Sequence, residues 1–139
     1  MRQFQREITI ATAGQGLVDI TNEVNGVVAE TRVGTGLVHI FCRHTSASLL
    51  IQENADQDVQ YDLNAFFKRL VPDGDPLFVH ICEGPDDMPA HIKAALTQTT
   101  LAIPVSAGRT MLGTWQGIYL FEHRVAPHTR RLVVHVTGA

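Results

Sequence analysis

Three consecutive segments of β-strand type near the C-terminal end constrain the fold of this chain most strongly. Thr100–Val105, Gly117–Arg124 and Arg131–Thr137 are rich in β-branched and aromatic residues, with turn-forming residues between them and no helical segment. Strands that follow one another in this way pair antiparallel. Upstream, strand-type and helix-type segments alternate, so the order β-α-β-α-β-α-β-β-β predicts an α+β fold rather than a regular parallel βαβ array.

Hydrophobic spacing predicts three further strands and three helices upstream. The predicted strands are Phe4–Thr12, Leu37–Cys42 and the short apolar stretch Leu77–Cys82, and the predicted helices are Asp19–Thr31, Ala55–Leu70 and Met88–Gln98. The clearest helix, 55–70, follows a capping residue and ends before a proline. It is expected to bury a stripe formed by Val59, Leu63, Phe66 and Leu70.

The composition is typical of a single domain with an ordinary hydrophobic core. A length of 139 residues suits one domain, 1–139, and 45% hydrophobic with 18% charged residues is unlike a disordered chain. No apolar run approaches the roughly 18 residues that span a bilayer, and the N-terminus lacks the apolar region of a secretory signal. We therefore expect a soluble, cytoplasmic protein. A formal charge of −3 without a lysine block predicts no nucleic-acid and no membrane partner.

The two cysteines, Cys42 and Cys82, each end an apolar stretch. There is no C-x-x-C pair, so neither a zinc knuckle nor a redox motif is available. Both thiols are predicted to be reduced and buried in the core.

Seven histidines are the most conspicuous reactive side chains. Four of them fall near element ends, where side chains from different segments can converge: His44, His80, His91 and His123. No local metal motif exists, so a metal site would have to assemble from distant segments, the alternative being separate hydrogen-bonded histidines. Asp87 precedes His91 by one helical turn, a spacing at which a carboxylate can orient an imidazole or simply cap the helix.

A glycine-rich segment, Gly108–Gly113, matches half of a phosphate-binding loop. Thr114 and Trp115 stand where that motif needs Lys and Ser or Thr, which excludes the Walker interpretation. What remains is a turn in which Arg109 could grip a phosphate, Trp115 could stack on a planar ring and Gln116 could bond to ring heteroatoms. The alternative is a hairpin turn whose tryptophan belongs to the core.

Four sequence blocks together resemble the YjbQ-like proteins, described as secondary thiamine-phosphate synthases. They are His44–Leu49, Glu53–Asp56, Asp86–Lys93 and Ser106–Gln116, and the last is the family's signature. The resemblance implies an α+β fold with a large antiparallel, sandwich-like sheet, two or three helices, and a homotrimer. It also implies a secondary transferase activity that joins a pyrimidine diphosphate to a thiazole phosphate and releases pyrophosphate.

The resemblance further implies roles for particular side chains. The catalytic set would comprise His44, His91, Arg109 and Glu122. The substrate-binding set would comprise Ser46, Lys93, Trp115 and Gln116, and a divalent metal, zinc or magnesium, would be held by His44, His80 and His91. Glu53 and Asp87 would support this site. Pro89 stands where some relatives carry an acidic residue or a histidine, so Asp87 or water would replace that ligand.

Two other functions are compatible with the same residues. One is a metal-dependent phosphate-ester hydrolase, because a histidine-bound metal can equally activate water. The other is a non-catalytic trimer that binds a small phosphorylated metabolite. Inorganic phosphate as the product would distinguish the hydrolase from the transferase, which releases pyrophosphate.

Overall fold

The computed structural model describes all residues, 1–139, as three helices and eight strands. In chain order the elements are β1 (Arg2–Ala11), β2 (Gly16–Asp19), α1 (Thr21–Thr31), β3 (Gly36–Cys42), β4 (Ala47–Glu53), α2 (Gln57–Leu70), α3 (Asp87–Leu96), β5 (Thr100–Ser106), β6 (Arg109–Thr110), β7 (Gln116–Glu122) and β8 (Thr129–Gly138). The predicted α+β class and antiparallel sandwich are confirmed.

Two antiparallel sheets form the sandwich. The larger has the strand order β1-β8-β3-β5-β6 and the smaller has the order β2-β7-β4. Alternate residues of the larger sheet, such as Val38 and Val134, point into a shared core with Leu49 and Leu120 of the smaller sheet. Helix α1 adds Val24 and its neighbours to the same core. Burial of this apolar surface is the main source of stability.

Three strands were not predicted from the sequence. The most important is β4, which pairs with β7 from Ala47 to Glu53 and begins within a small polar run that looks like a turn. Its partner β7 is buried along nearly its whole length, which places Ser48 of β4 in the interior. The burial of Ser48 is tolerated because its hydroxyl is hydrogen-bonded. The short strands β2 and β6 were also missed.

The predicted strand Leu77–Cys82 is wrong. Residues 71–86 form turns and irregular backbone between α2 and α3. Three apolar side chains of the predicted strand, those of Leu77, Val79 and Ile81, face outward, and Val79 is 95% exposed. We call residues 71–86 the α2–α3 loop. Cys82 lies in it and is exposed, so its predicted burial is wrong, whereas the predicted burial of Cys42 is confirmed.

The predicted buried stripe on α2 is also wrong in part. The helix itself is present, and Asp56 caps it by accepting a hydrogen bond from the amide of Asp58 at 2.9 Å. No residue of α2 is fully buried, and Phe66 and Leu70 are about half exposed. The helix therefore covers the smaller sheet with only part of its apolar face.

None of the three helices combines the length and apolar character needed to cross a membrane.

Candidate metal centre

The carboxylate of Asp87 lies between two imidazole rings. Asp87 Oδ2 is 2.7 Å from His80 Nε2 and 3.0 Å from His91 Nε2. One potential ligand atom from each of these residues falls within 4.8 Å of the other two. Asp87 is only 2% exposed, whereas the side chain of His80 is 45% exposed. The cluster is therefore anchored on a buried carboxylate and open to solvent at its imidazoles.

Local structure explains how these side chains meet. Asp87 and His91 are one turn apart at the start of α3, where the helix dipole favours a carboxylate. His80 arrives from the α2–α3 loop. The loop between β3 and β4 contributes the carbonyl oxygen of Thr45, which is 2.9 Å from His91 Nδ1. The α2–α3 loop and the start of α3, which are adjacent in sequence, thus meet the distant β3–β4 loop at one site.

The hydrogen bonds of His91 determine where its protons lie. A carbonyl oxygen only accepts, so the ring must donate from Nδ1 to Thr45. Nε2 faces the carboxylate of Asp87 and is the ring nitrogen directed toward the cluster. A cation bound at Nε2 would leave the bond from Nδ1 to Thr45 intact, the usual pattern for a metal-binding histidine. The donor set of two imidazoles and a carboxylate therefore fits a divalent metal.

Arg124, which was not singled out from the sequence, contacts the other side of the cluster. Its Nη1 donates to Asp87 Oδ1 at 2.8 Å, and its Nε donates to Asp86 Oδ2 at 2.9 Å. Burial would raise the pKa of Asp87, but hydrogen bonding to His80 and the charges of His91 and Arg124 hold that pKa below its usual value. Burial would also raise the pKa of Asp86, but the hydrogen bonds to Arg124 outweigh burial and lower that pKa. Both carboxylates are thus ionised at neutral pH.

His44 lies beside the cluster rather than in it. It shares with His91 a cavity of about 310 Å³, whose floor is formed by small residues such as Ala47 and Ala94. Its Nε2 accepts a hydrogen bond from the backbone amide of Arg131 at 2.8 Å, so the proton of a neutral ring lies on Nδ1. Partial burial lowers the pKa of His44, and the charge of Arg130 lowers it further. A second cavity, of about 450 Å³, borders His80 on the loop side.

Glu122 and Ser46 belong to a buried ion-pair network. Glu122 is bonded to the guanidinium of Arg130, and its Oε1 accepts from the Thr12 hydroxyl at 2.7 Å. Arg130 Nη2 also donates to Ser46 Oγ at 3.0 Å. Burial opposes ionisation of Glu122, but these bonds outweigh it and lower its pKa. The buried position of Glu122 leaves a substrate no access to it, so the geometry does not support its predicted catalytic role.

Lys93 and His123 are buried close to the site without facing its cavities. Lys93 forms no ion pair or side-chain hydrogen bond, and burial lowers its pKa. His123 Nε2 is 2.8 Å from Ser48 Oγ, while Nδ1 has no partner. Burial, with the nearby charge of Lys93, lowers the pKa of His123 to about 3. Substrate contact by Lys93 would require displacement of the covering chain.

The signature residues Trp115 and Gln116 lie at the opposite end of the smaller sheet. The β4–β7 pairing runs from Ala47 opposite Glu122, beside the cluster, to Glu53 opposite Gln116. Six residue steps separate the two ends, which corresponds to about 20 Å. Within one chain, the histidine cluster and the signature turn are therefore separate.

The signature turn is held by its own hydrogen bonds. The side chain of Gln116 accepts from the amide of Gly113 at 2.7 Å, and the amide of Asn54 donates to the carbonyl of Trp115 at 3.0 Å. Trp115 is 64% exposed, so the alternative of a core tryptophan is wrong. Arg109 is exposed on β6, at the edge of the larger sheet.

Comparison with known proteins identifies the family of the chain. Residues 6–139 match the family model described as UPF0047 protein YjbQ-like. This chain belongs to the UPF0047 YjbQ-like family. It is 53% identical over 137 residues to UPF0047 protein sll1880 of Synechocystis sp., covering 99% of this chain and 93% of that protein. It is 42% identical to UPF0047 protein YjbQ of Escherichia coli O157:H7, covering 97% and 98% of the two chains.

Solved YjbQ-like structures have the same fold. A YjbQ/UPF0047 family protein from Clostridium acetobutylicum aligns with a TM-score of 0.87 and 37% identity over 95% of this chain and 99% of that one. A YbjQ-like protein of unknown function from Sulfolobus solfataricus P2 aligns with a TM-score of 0.89 and 26% identity over 99% of both chains. The resemblance inferred from the sequence blocks is therefore confirmed at the level of family and fold.

Pro89 bears on the ligand set of this YjbQ-like chain. It is buried in the first turn of α3, two residues before His91. Asp87, four residues before His91, instead presents the carboxylate, and Arg124 contacts that carboxylate from behind. Asp87 could be suggested from helical spacing alone, whereas Arg124 had no local signal because its partners are about 40 residues away.

Proposed function

We propose that this YjbQ-like protein is a divalent-metal-dependent enzyme whose metal is bound by His80, Asp87 and His91. The observation that carries the proposal is the approach of two imidazole Nε2 atoms to one buried carboxylate oxygen, at 2.7 and 3.0 Å. Two imidazoles and a carboxylate, open to solvent on one side, are typical of catalytic zinc sites. Magnesium prefers an all-oxygen environment, so zinc or another transition metal suits the site better.

Residues around the cluster supply binding and proton transfer. A bound divalent cation would provide Lewis-acid polarisation of a phosphoryl oxygen. His44 faces the cavity that also contacts His91, and its Nδ1 proton is the one it can give to a substrate or leaving group. The small side chains of Ala47, Ala94 and Ala95 leave room for a compact substrate. A small phosphorylated metabolite fits this arrangement.

The resemblance favours a thiamine-phosphate synthase-type transfer as the reaction. In that reaction the bond from the pyrimidine methylene carbon to the diphosphate oxygen breaks, and the thiazole nitrogen bonds to that carbon. Arg109, Trp115 and Gln116 would hold the planar ring and the departing pyrophosphate. Because Trp115 and Gln116 lie about 20 Å from the cluster end within one chain, this version requires the signature turn of a neighbouring subunit.

A homotrimer is proposed for the same reason. Large apolar side chains are exposed on the α2–α3 loop, on α2 and at Trp115, and such surfaces are typical of subunit contacts. Light scattering of the purified protein at micromolar concentration should give three times the chain mass. A monomeric mass would exclude the intersubunit version of the site.

One observation favours hydrolysis of a phosphate ester as a second candidate. Both arginines near the cluster are already paired, Arg124 with Asp86 and Asp87 and Arg130 with Glu122, so neither arginine is free to bind a pyrophosphate. A monophosphate ester makes a smaller demand for charge neutralisation. Its hydrolysis would use the same cluster and the same His44.

The decisive experiment combines metal analysis with product analysis. Tag-free wild-type protein and the His80→Ala, His91→Ala and His39→Ala variants would be analysed for bound metal and assayed with both substrate classes. His39 is the matched control because it is exposed on the larger sheet, outside the cluster. We expect about one metal per chain in wild type and His39→Ala, and loss of metal and turnover in the other two. Thiamine phosphate with pyrophosphate would identify the transferase, and inorganic phosphate the hydrolase.

Two results would contradict the proposal. Wild-type protein that binds no divalent metal would remove the centre, and turnover that survives in both cluster variants would place catalysis elsewhere. Saturable binding of a phosphorylated metabolite without any product would favour the non-catalytic binding protein.

A further inference from the structure

The guanidinium of Arg124 donates to three acceptors beside the candidate metal centre. Nη1 donates to Asp87 Oδ1 at 2.8 Å, Nε donates to Asp86 Oδ2 at 2.9 Å, and Nη2 donates to the carbonyl oxygen of Glu83 at 2.9 Å. The side chain of Arg124 is largely buried. Its planar fork therefore contacts the start of α3 and the end of the α2–α3 loop at the same time.

The contact with Asp87 determines which carboxylate oxygen faces the imidazoles. Asp87 Oδ1 is occupied by Arg124, and Oδ2 alone approaches His80 and His91. Rotation of the carboxylate would break the charge-assisted bond to Nη1, which is among the stronger hydrogen bonds in proteins. Arg124 thus holds Asp87 with one oxygen directed toward the site.

The contact with Glu83 restrains the loop that carries His80. His80 belongs to no helix or strand and lies three residues before Glu83. The loop contains few backbone hydrogen bonds, among them Gly74 to Pro85 and Phe78 to Asp75. The hydrogen bond from Arg124 to the Glu83 carbonyl holds the C-terminal end of the loop against Arg124, the same residue that orients Asp87. The position of His80 relative to Asp87 accordingly depends on Arg124.

Asp86 fixes the position of the Arg124 guanidinium. Its Oδ2 accepts from Arg124 Nε and also from the backbone amide of Val125, each at 2.9 Å. The guanidinium is therefore fixed by Asp86 while it fixes Asp87 and the loop. A lysine at this position would keep the charge but could not direct three donors to these three acceptors.

We infer that Arg124 is a positioning residue for the candidate metal centre, which holds Asp87 Oδ2 and His80 in the geometry needed to bind one ion together with His91. This inference rests on the proposed function, because it assigns the geometry of the proposed metal site to a residue that is not a ligand. Groups that orient metal ligands are commonly worth about 10- to 100-fold in metal affinity.

The test is a titration of the metal-free protein with Co²⁺, followed by visible absorption, which reports both affinity and coordination geometry. Wild type, Arg124→Lys and Arg124→Gln would be compared with Arg6→Gln. Arg6 is the matched control because it forms an exposed ion pair with Glu30, away from the cluster. We expect about 10- to 100-fold weaker binding and an altered spectrum for both Arg124 variants, with Arg6→Gln unchanged. Far-UV circular dichroism would establish that each variant is folded.

The outcomes separate this inference from the proposed function. Absence of Co²⁺ binding by wild type would overturn the metal centre itself. Wild-type binding with equal affinity and spectrum in Arg124→Gln would overturn the positioning role alone, as would full rescue by Arg124→Lys, since charge would then suffice. If the Arg124 variants do not fold, Asp86→Asn tests the same role, because it keeps Arg124 but weakens the hydrogen bond that fixes its guanidinium. Weaker Co²⁺ binding by this variant is then the expected result. Unchanged binding in folded Asp86→Asn would then count against the inference.

Discussion

The Nδ1 atom of His91 lies 2.9 Å from the carbonyl oxygen of Thr45, which directs its other ring nitrogen toward Asp87. This contact links the loop after β3 to the second turn of α3 and determines the orientation of the imidazole. The same arrangement makes His91 Nε2 the nitrogen available to a metal. His44, from the same loop as Thr45, has its Nε2 engaged by the Arg131 amide.

The first prediction separates His44 from the metal ligands. His44→Ala should retain bound metal and lose about 100-fold or more in turnover, because a positioned acid or base typically contributes 10²- to 10⁴-fold. His80→Ala should lose both. Metal content and kcat of each variant are the measurements. Loss of metal in His44→Ala would instead make His44 a ligand.

The second prediction concerns the pH dependence of stability. The pKa of His123 is about 3 in the folded protein, below the 6.5 of an exposed histidine, so the unfolded state binds the proton more tightly. Stability should be unaffected by this group above pH 6.5 and fall by up to about 1.4 kcal/mol per pH unit below it. Urea unfolding of wild type and His123→Gln between pH 4.5 and 7.5 tests this. Equal slopes for the two proteins would contradict it.

The third prediction concerns the buried pair of Glu122 and Arg130. Glu122→Gln should destabilise the fold by about 3–5 kcal/mol, because it leaves a buried guanidinium without its counter-charge. Glu7→Gln is the control, since Glu7 pairs with Arg43 at the surface and should cost less than about 1 kcal/mol. Denaturant unfolding at neutral pH measures both. Similar costs for the two variants would show that Glu122 is not a major support.

The fourth prediction uses two glycines with opposite surroundings. Gly26 is exposed within α1, and a Cβ there meets nothing within 4 Å, so Gly26→Ala should stabilise by about 0.5–1 kcal/mol. At Gly36 a Cβ would lie 2.0 Å from the Thr137 carbonyl oxygen, so Gly36→Ala should destabilise by at least about 1–3 kcal/mol. Thermal and urea unfolding report both changes. A stabilised Gly36→Ala would show that β3 and β8 can move apart cheaply.

The fifth prediction tests whether a neighbouring subunit covers Trp115, the single tryptophan. Its exposure within one chain predicts red-shifted emission and ready quenching by acrylamide in a monomer. In the proposed trimer the emission should be blue-shifted and should move to the red on dilution to the monomer. Emission that is independent of assembly would place Trp115 outside the subunit contact. Trp115→Ala should change monomer stability by no more than about 0.5 kcal/mol.

Local sequence patterns were sufficient to predict the elements that are stabilised by interactions between residues close in sequence. The helix predicted at 55–70 appears as Gln57–Leu70, and the three closing strands begin and end within two residues of their predicted ends. Hydrophobic spacing, a capping residue and turn residues act over a few positions, so they can be read along the chain. The sequence blocks likewise sufficed for the family.

Long-range contacts decided the rest. Ser48 lies in a strand because β7 and His123 offer it partners more than 70 residues away, and Val79 remains exposed because no other segment of the fold covers its side chain. His80, Asp87 and His91 were each visible as residue types, but their convergence depends on Thr45 and Arg124, which come from other segments. The orientation of a side chain depends on which distant groups share its hydrogen bonds, and only the folded chain brings those groups together.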